Sequence, residues 1–485
     1  MTDRRRRFIG GVALAMALTA CGTTVLARRI EPAGVPTIDP SARATQLGGR
    51  EVSIGEGVPA GVGTSAASRC ATNSNSAHGF TESTIKWGTI IPLSGALRPL
   101  GEQVARIMKV AVNYLNSVTS VPGSFDWGCP TRPGIWGRTI ELKILSLNQN
   151  TQDEAAAAMR RLIDVENVFL VRDCYLQSNL MGPATQYQNR RKVPGIWCYF
   201  SEMPYPYMAE YNFAPGTDLL KVAAIHTGYL MNTLGRKRLA VLTDPSLENN
   251  QVRVVKRIFR HINGYDIPEG CIQRKKAQEA PGGMQAEAQA IRNCYADVDP
   301  ANPSPNSVIA LDALNGVFGA IGAQSAGWTT DPDVVQWSCA TCWVQSLADV
   351  CREACTGMIT DCQALPCIPW SNLPAAQTLE AARAKYLPNE PQDVLTYGPI
   401  AITLGLGIWL GMTGPDLSRE AFVDTVGNLK NFDSGIGPIL TTNSRDHFGG
   451  KAIWLVNFTG TSFDDRTSGF VTLSDVGVPA NLTET

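Results

Sequence analysis

The stretch Ile85 to Asn116, IKWGTIIPLSGALRPLGEQVARIMKVAVNYLN, limits the chain to a narrow class of folds. Trp87 to Leu93 is a short apolar run of the kind that forms a strand buried on both faces of a parallel sheet. Pro92 and Gly95 end it, and Val104, Ile107, Ala111 and Leu115 then recur at three- and four-residue spacing, the pattern of a helix with one buried face. Between strand and helix lies PLSG, then five residues, then Gly101. A loop in that position sits at the carboxyl end of a strand, where ligands bind in open α/β sheets. Ser94 is its polar residue.

The alternation recurs. Thr139 to Leu147 is expected to be a strand, Asp153 to Val165 a helix and Val168 to Val171 a strand. Met181 to Asn189 then reads as a helix and Val193 to Phe200 as a strand opened by Pro194. A second unit starts near Phe213: a helix from Asp218 to Leu234, a strand from Arg238 to Leu242 and a basic amphipathic helix from Gln251 to Asn263. Glu287 to Tyr295, Val308 to Leu311 and Gly316 to Ala326 repeat the pattern. Alternation of this kind predicts parallel sheets covered on both faces. Tyr397 to Met412 is apolar and glycine-rich but shorter than the roughly 20 residues a membrane span needs. It reads as a buried helix of the first unit, and Ala452 to Val456 as a strand returning to the second.

The plan of strand, PLSG, Gly101 and a helix ending in Asn116, repeated along the chain, resembles the extracytoplasmic solute-binding proteins of the branched-chain amino acid and amide type. The resemblance covers about 84 to 475. It implies an α/β fold of two Rossmann-like lobes, the type I periplasmic-binding, Venus-flytrap architecture, joined by a multi-strand hinge. The expected boundaries are 84–211 and 371–448 for the first lobe, and 212–338 and 449–485 for the second. Residues 339–370 are expected to be a cysteine-rich insertion.

The first 21 residues carry Arg4 to Arg7, an apolar stretch from Phe8 to Ala20, and Leu18-Thr19-Ala20-Cys21. That reads as a lipoprotein signal, with Cys21 as the expected lipid-modified residue, an ordinary cleaved signal being the alternative. A twin-arginine and a plain secretory route both fit it. Residues 22–83 are rich in Gly, Pro, Ser, Ala and Thr and read as a flexible tether with an end-to-end distance of roughly 45 Å. The chain of 485 residues, 44% hydrophobic and 18% charged with a formal charge of −1, reads as globular and gives no reason to expect a nucleic-acid partner.

Thirteen cysteines less Cys21 leave twelve, an even number in an exported chain, which predicts disulfides. Cys339, Cys342, Cys351, Cys355, Cys362 and Cys367 crowd together, and their fifteen possible pairings stay open. Cys339-Ala-Thr-Cys342 also has zinc-ligand spacing, but compartment and parity favour disulfides, and no metal is expected. For the others the expected pairs are Cys174 with Cys198, Cys271 with Cys294, and, by elimination, Cys70 with Cys129.

No nucleophile elbow, phosphate-binding loop, dinucleotide fingerprint or zinc-protease motif occurs, and His78, His226, His261 and His447 are widely scattered. A non-enzyme without cofactor is therefore expected. The resemblance implies a small-molecule ligand held between the lobes. Leu100 would form an apolar wall. Ser178, with Asn179 beside it, and Ser201 would bind a polar head group, and Tyr199 would present its backbone. A loop serine such as Ser178 also fits a helix cap. In the second lobe Glu248 and Asp312 are candidates for a cationic group, although Asp312-Ala313-Leu314-Asn315 and the loop near Ser338 depart from the family pattern. An apolar or aromatic ligand is an equal candidate. The implied role is capture of an amino-acid-like molecule, an amide or another small organic acid by a lipid-anchored monomer at the outer face of the cell membrane. Delivery would be to the permease and ATPase subunits of an ABC importer. A ligand sensor on the same fold and a cell-envelope protein interacting through the cysteine-rich insertion are the alternatives.

Overall fold

The computed structural model describes residues 70–483, except 95–97, 120–126, 128, 149–150, 174–177, 198–209, 246–247, 278–282, 344–348, 363–379, 381–382, 391–393, 433–437 and 445. The expected signal, Cys21 and most of the expected tether lie outside the described residues.

The chain first lays down β1 (Thr84–Pro92), α1 (Arg98–Ser117), β2 (Thr139–Leu147), α2 (Gln152–Arg160), β3 (Leu170–Asp173), α3 (Ser178–Arg190), β4 (Gly195–Trp197) and β5 (Asn212–Thr217). It continues with α4 (Leu219–Gly228), β6 (Leu239–Thr243), α5 (Glu248–Asn263), β7 (Ile272–Arg274), α6 (Gln285–Arg292), β8 (Ser307–Ala310), α7 (Ala313–Ser325), β9 (Gln336–Cys339) and β10 (Ile359–Cys362). Then come α8 (Val394–Thr413), α9 (Arg419–Gly427), β11 (Phe448–Gly450), β12 (Ala452–Phe458) and β13 (Phe463–Thr472).

Two sheets result. The first runs β2-β1-β3-β4-β5-β11 and is parallel throughout; the second runs β7-β6-β8-β9-β10-β12-β13, parallel as far as β10 and antiparallel beyond. Each lobe thus follows one order, second-first-third-fourth-fifth, with a switch point between its first and third strands: β1 and β3, or β6 and β8. The runs read as strands are buried on both sides; every residue of β6 and of β8 is buried. The π-turn Arg161–Val165 prolongs α2 and brings Leu162 and Ile163 into the core.

The chain passes between the sheets after β5, after β10 and between β11 and β12. The first and third passages lie side by side. Thr217 Oγ1 donates to Ala452 O at 2.6 Å, and a Cβ on Gly450 would stand 2.7 Å from the backbone of Gly216 and Thr217. Lys221 pairs with Asp218 and Asp446, and Lys451 with Asp446 at 2.6 Å. Burial pushes the Asp446 carboxyl up, but Lys221 and Lys451 outweigh it and hold it below the ordinary carboxylate value.

Two boundaries differ from the expectation. β5, expected to open the second lobe, is a strand of the first sheet, so that lobe runs through Thr217. Within the expected insertion 339–370, β10 is an inner strand of the second sheet, paired with β9 and β12. The cysteine-rich stretch is therefore the connection from β9 to β10. Its cysteines disguise β10 because only four residues carry the strand.

The glycine-rich apolar segment forms α8, packed on α1. A Cβ on Gly407 would lie 2.9–3.0 Å from Leu115, so this glycine lets the two helices approach, and Trp136 Nε1 donates to Gly411 O at 2.9 Å. Among the described residues no helix is long and apolar enough to cross a membrane. Arg138 and Arg419 are buried against carbonyls, Arg138 on Thr81, Asn73 and Pro415, Arg419 on Val168 and Phe169. Burial lowers both to about 10, so they remain cations that bind α8, α9 and the first sheet together.

Candidate functional site

In a doubly wound sheet the crevice opens at the carboxyl ends of the strands flanking the switch point. In the first lobe those ends are Pro92 of β1 and Asp173 of β3. The first turn of α1 is pressed against β1: a Cβ on Gly101 would fall 1.9 Å from Pro92 O and 2.8 Å from its carbonyl carbon. Glycine is the only residue that lets α1 begin so close to the strand end, and the amino end of a helix carries unpaired N–H groups. Ser94 is held inward. Its hydroxyl donates to Leu147 O at 3.0 Å, with Asn148 Oδ1 at 3.1 Å, so it ties the first loop to the end of β2.

Leu100 lies in the first turn of α1, Ser178 and Asn179 open α3 and Glu248 opens α5; their side chains lie outside the described residues, as do Tyr199 and Ser201 altogether.

The second lobe is better defined. Asp312 follows β8 and caps α7, its Oδ1 accepting from Asn315 N at 2.9 Å. Burial raises its carboxyl from the ordinary 3.8 to about 6; backbone N–H groups of Asn315, Asp244 and Leu314 draw it down and the Asp244 charge adds to the rise. The folded chain therefore keeps a proton that the unfolded chain releases between about pH 4 and pH 6, and this group's contribution to stability falls as pH rises through that window. Asp312→Asn keeps the cap and removes the slope. It is expected to raise unfolding free energy at pH 7 by at most about 3 kcal/mol and to change it little below pH 4, as denaturant titrations at the two pH values would measure.

Disulfides buttress the turn that holds Asp312. Cys339 joins Cys342, and Cys351 joins Cys355. Both sulfurs of the first bridge rest on α7, where a Cβ on Gly316 would meet Cys339 Sγ at 2.3 Å and Cys342 Sγ at 2.8 Å. Cys70 is joined to Cys129 and Cys271 to Cys294. Cys362 is disulfide-bonded too, while Cys174, Cys198 and Cys367 lie outside the described residues. Among the described residues no group of three His, Cys, Asp or Glu side chains is placed to hold a metal ion.

Trp343, directly after this bridge, stacks on Tyr397 of α8 with ring centroids 6.1 Å apart and planes 4° from parallel. Tyr397 is anchored through its hydroxyl, which donates to Glu380, itself paired with Arg383. The stack spans the two lobes, since Trp343 follows β9 and α8 packs on α1. In the sequence its only sign was an aromatic residue after C-x-x-C.

A second constellation escaped the sequence altogether. His226 Nδ1 lies 2.6 Å from Ser338 Oγ and His226 Nε2 2.9 Å from Asp361 Oδ1, which also accepts from Thr341 N at 2.8 Å. Serine, histidine and aspartate in that order resemble a hydrolytic triad, but all three are at most 3% exposed. No substrate reaches them; they join α4, β9 and β10.

A family model described as periplasmic binding protein matches residues 84–462. No curated protein sequence matches the chain. Similar solved structures include a branched-chain amino acid transporter substrate-binding protein from Streptococcus pneumoniae in complex with isoleucine, at 15% identity and TM-score 0.61, covering 80% of this chain and 99% of that one. A fatty acid ABC transporter substrate-binding protein from Thermomonospora curvata is 17% identical, with TM-score 0.60 and coverage of 84% and 97%. A solute-binding protein of an ABC transporter from R. palustris, in complex with 4-hydroxybenzoate, is 13% identical, with TM-score 0.59 and coverage of 80% and 95%.

Proposed function

The chain belongs to the periplasmic binding protein family, and we propose that it captures a small organic molecule between its two lobes and delivers it to an ABC importer. The observation that carries this reading is architectural. Two sheets of one strand order each direct a switch point to a crevice, and three passages of chain join them as a hinge. Two jaws on a hinge bury most of a small ligand and convert its binding into a change of shape that a permease can read. No bond need be made or broken.

The similar structures bind ligands as unlike as isoleucine and 4-hydroxybenzoate, so the fold leaves the ligand to the loops. Here the Trp343–Tyr397 stack favours a ligand with apolar or aromatic surface, and Asp312 supplies an acceptor in the second lobe. Partners would be the permease and ATPase subunits. Cys21 would carry a lipid anchor at the outer face of the membrane, with the protein acting as a monomer.

The test is thermal unfolding of the oxidised fragment from residue 22 onward against amino acids, amides, short peptides, aromatic acids and sterols. A ligand at a hundred times its dissociation constant is expected to stabilise the native state by about 2.7 kcal/mol, a shift of a few degrees in melting. A hit should also compact the protein in X-ray scattering. A library without a single hit, or hits that leave the scattering profile unchanged, would count against capture by closure.

A further inference from the structure

The direction of α8 fixes the level at which Trp343 meets Tyr397. Its later turns meet Leu115, near the end of α1, and Trp136, just before β2, so they lie at the amino ends of the first sheet. Its first turns meet Arg172, the third of the four residues of β3, whose Nη2 donates to Pro399 O at 2.8 Å. Tyr397 therefore stands at the carboxyl end of β3, beside the first lobe's switch point.

Trp343 comes to that level from the second lobe. It follows the carboxyl end of β9 and the Cys339–Cys342 bridge, and Cys342 Sγ lies 3.4 Å from the carbonyl oxygen of Ala313, the first residue of α7. α7 starts at the carboxyl end of β8, a strand of the second lobe's switch point. The stack thus joins the two walls of the crevice where a captured molecule is expected to touch them. Both rings are sealed from water, Trp343 at 3% and Tyr397 at 4% exposure. A flat ligand between two parallel rings needs about 7 Å, twice the contact distance of carbon atoms. The centroids are 6.1 Å apart, so a ligand that takes this face of Tyr397 has to move a ring.

The two rings are held differently. The Tyr397 hydroxyl donates to Glu380, which pairs with Arg383 at 2.7 Å. Trp343 has no such anchor. Its Nε1 donates to nothing, so packing alone keeps the indole in place, while the bridge before it holds the backbone. The part free to move is the indole.

We propose that Trp343 is an internal plug: its indole covers Tyr397 in the ligand-free protein, and a ligand with a flat apolar or aromatic surface binds by displacing it. The contact is autoinhibitory. It lowers the apparent affinity of every ligand by the fraction of molecules in which the indole has swung away, and it shuts out molecules that cannot replace a stacked ring. The inference rests on the capture reading above and adds the group a ligand must displace.

The test uses the oxidised protein labelled with fluorotryptophan, in which the fluorine resonance missing from Trp343→Phe belongs to Trp343. The probes are benzoate, benzyl alcohol and indoleacetate, with acetate as the control that has no ring. Without a probe the Trp343 resonance is expected at the same position in light and heavy water, as for a buried ring. It should gain a solvent shift as an aromatic probe saturates, and none with acetate. Trp343→Ala is expected to bind the aromatic probes about two- to tenfold more tightly, the worth of one aromatic stack, and Tyr397→Leu to bind them more weakly than wild type. A Trp343 resonance that stays buried at saturating probe overturns the inference and makes the ring permanent packing. Weaker probe binding in Trp343→Ala overturns it too, and makes the stack a clasp that favours closure. The fluorine measurement needs no alanine variant, so it decides the matter if that variant misfolds. If no aromatic probe binds, the plug is also overturned, while the wider library and the scattering measurement decide capture separately.

Discussion

Asp361→Ala is expected to lower the unfolding free energy by about 3–5 kcal/mol, the range for removing one partner of a buried polar pair. The carboxylate is 3% exposed, faces His226 Nε2 at 2.9 Å and accepts from Thr341 N at 2.8 Å. His226 in turn meets Ser338 at 2.6 Å. Truncation leaves His226 Nε2 and the Thr341 N–H without partners where water does not enter, and adds a cavity between β10 and α4. Asp361→Asn keeps the volume and one acceptor, so a smaller loss, about 1–2 kcal/mol, is expected. Guanidinium titrations at pH 7 with the disulfides intact would measure both. A loss under about 1 kcal/mol for the alanine variant would falsify the view that this network ties α4 to β9 and β10. The same pair of variants should leave ligand affinity unchanged at temperatures where they are folded, because the network is sealed from the crevice.

The second large effect is expected in the first lobe. Gly101→Ala places a methyl group 1.9 Å from Pro92 O, and the obstructing atom is backbone in the middle of a buried strand end. Neither side has a flexible side chain to give way, so α1 must withdraw from β1. Overpacking of this kind costs about 1–3 kcal/mol and sometimes more, and the displaced helix start should weaken any ligand held in the first-lobe crevice by tenfold or more. Gly405→Ala is the control. That glycine also lies in a helix, α8, but nothing stands within 4 Å of its Cβ position. There alanine should gain about 0.5–1 kcal/mol through better helix propensity. If both glycine variants behaved alike, the close approach of α1 to β1 would not be what Gly101 is for.

These cases show which parts of the protein are legible along the chain. The run from Trp87 to Leu93, PLSG and Gly101 announced a strand, a loop and a helix, and the structure adds the reason for the glycine. β6, α5, β8 and α7 lie close to their expected positions because local patterning of apolar residues and strand-bounding turns is a property of neighbours in sequence. β10 was not seen. Four residues ending in a cysteine carry too little pattern, and only pairing with β9 and β12 makes them a strand. β5 was assigned to the wrong lobe because a strand's own residues do not say which sheet it will join.

The candidate site divides in the same way. Asp312 was chosen as a polar residue after an apolar run, which is local information. That burial raises its carboxyl to about 6, and that Trp343 stacks on Tyr397 from the other lobe, follows from packing between elements far apart in the chain. His226 reaches Ser338 and Asp361 across 112 and 135 residues. By itself, then, the sequence determined the kind of elements, their alternation and hence the family, because periodicity and turn chemistry act over a few residues. The tertiary structure alone decided which strands share a sheet, how the cysteine-rich stretch serves the second lobe and which buried groups have no partner. Those depend on contacts between distant segments, and no local pattern encodes them.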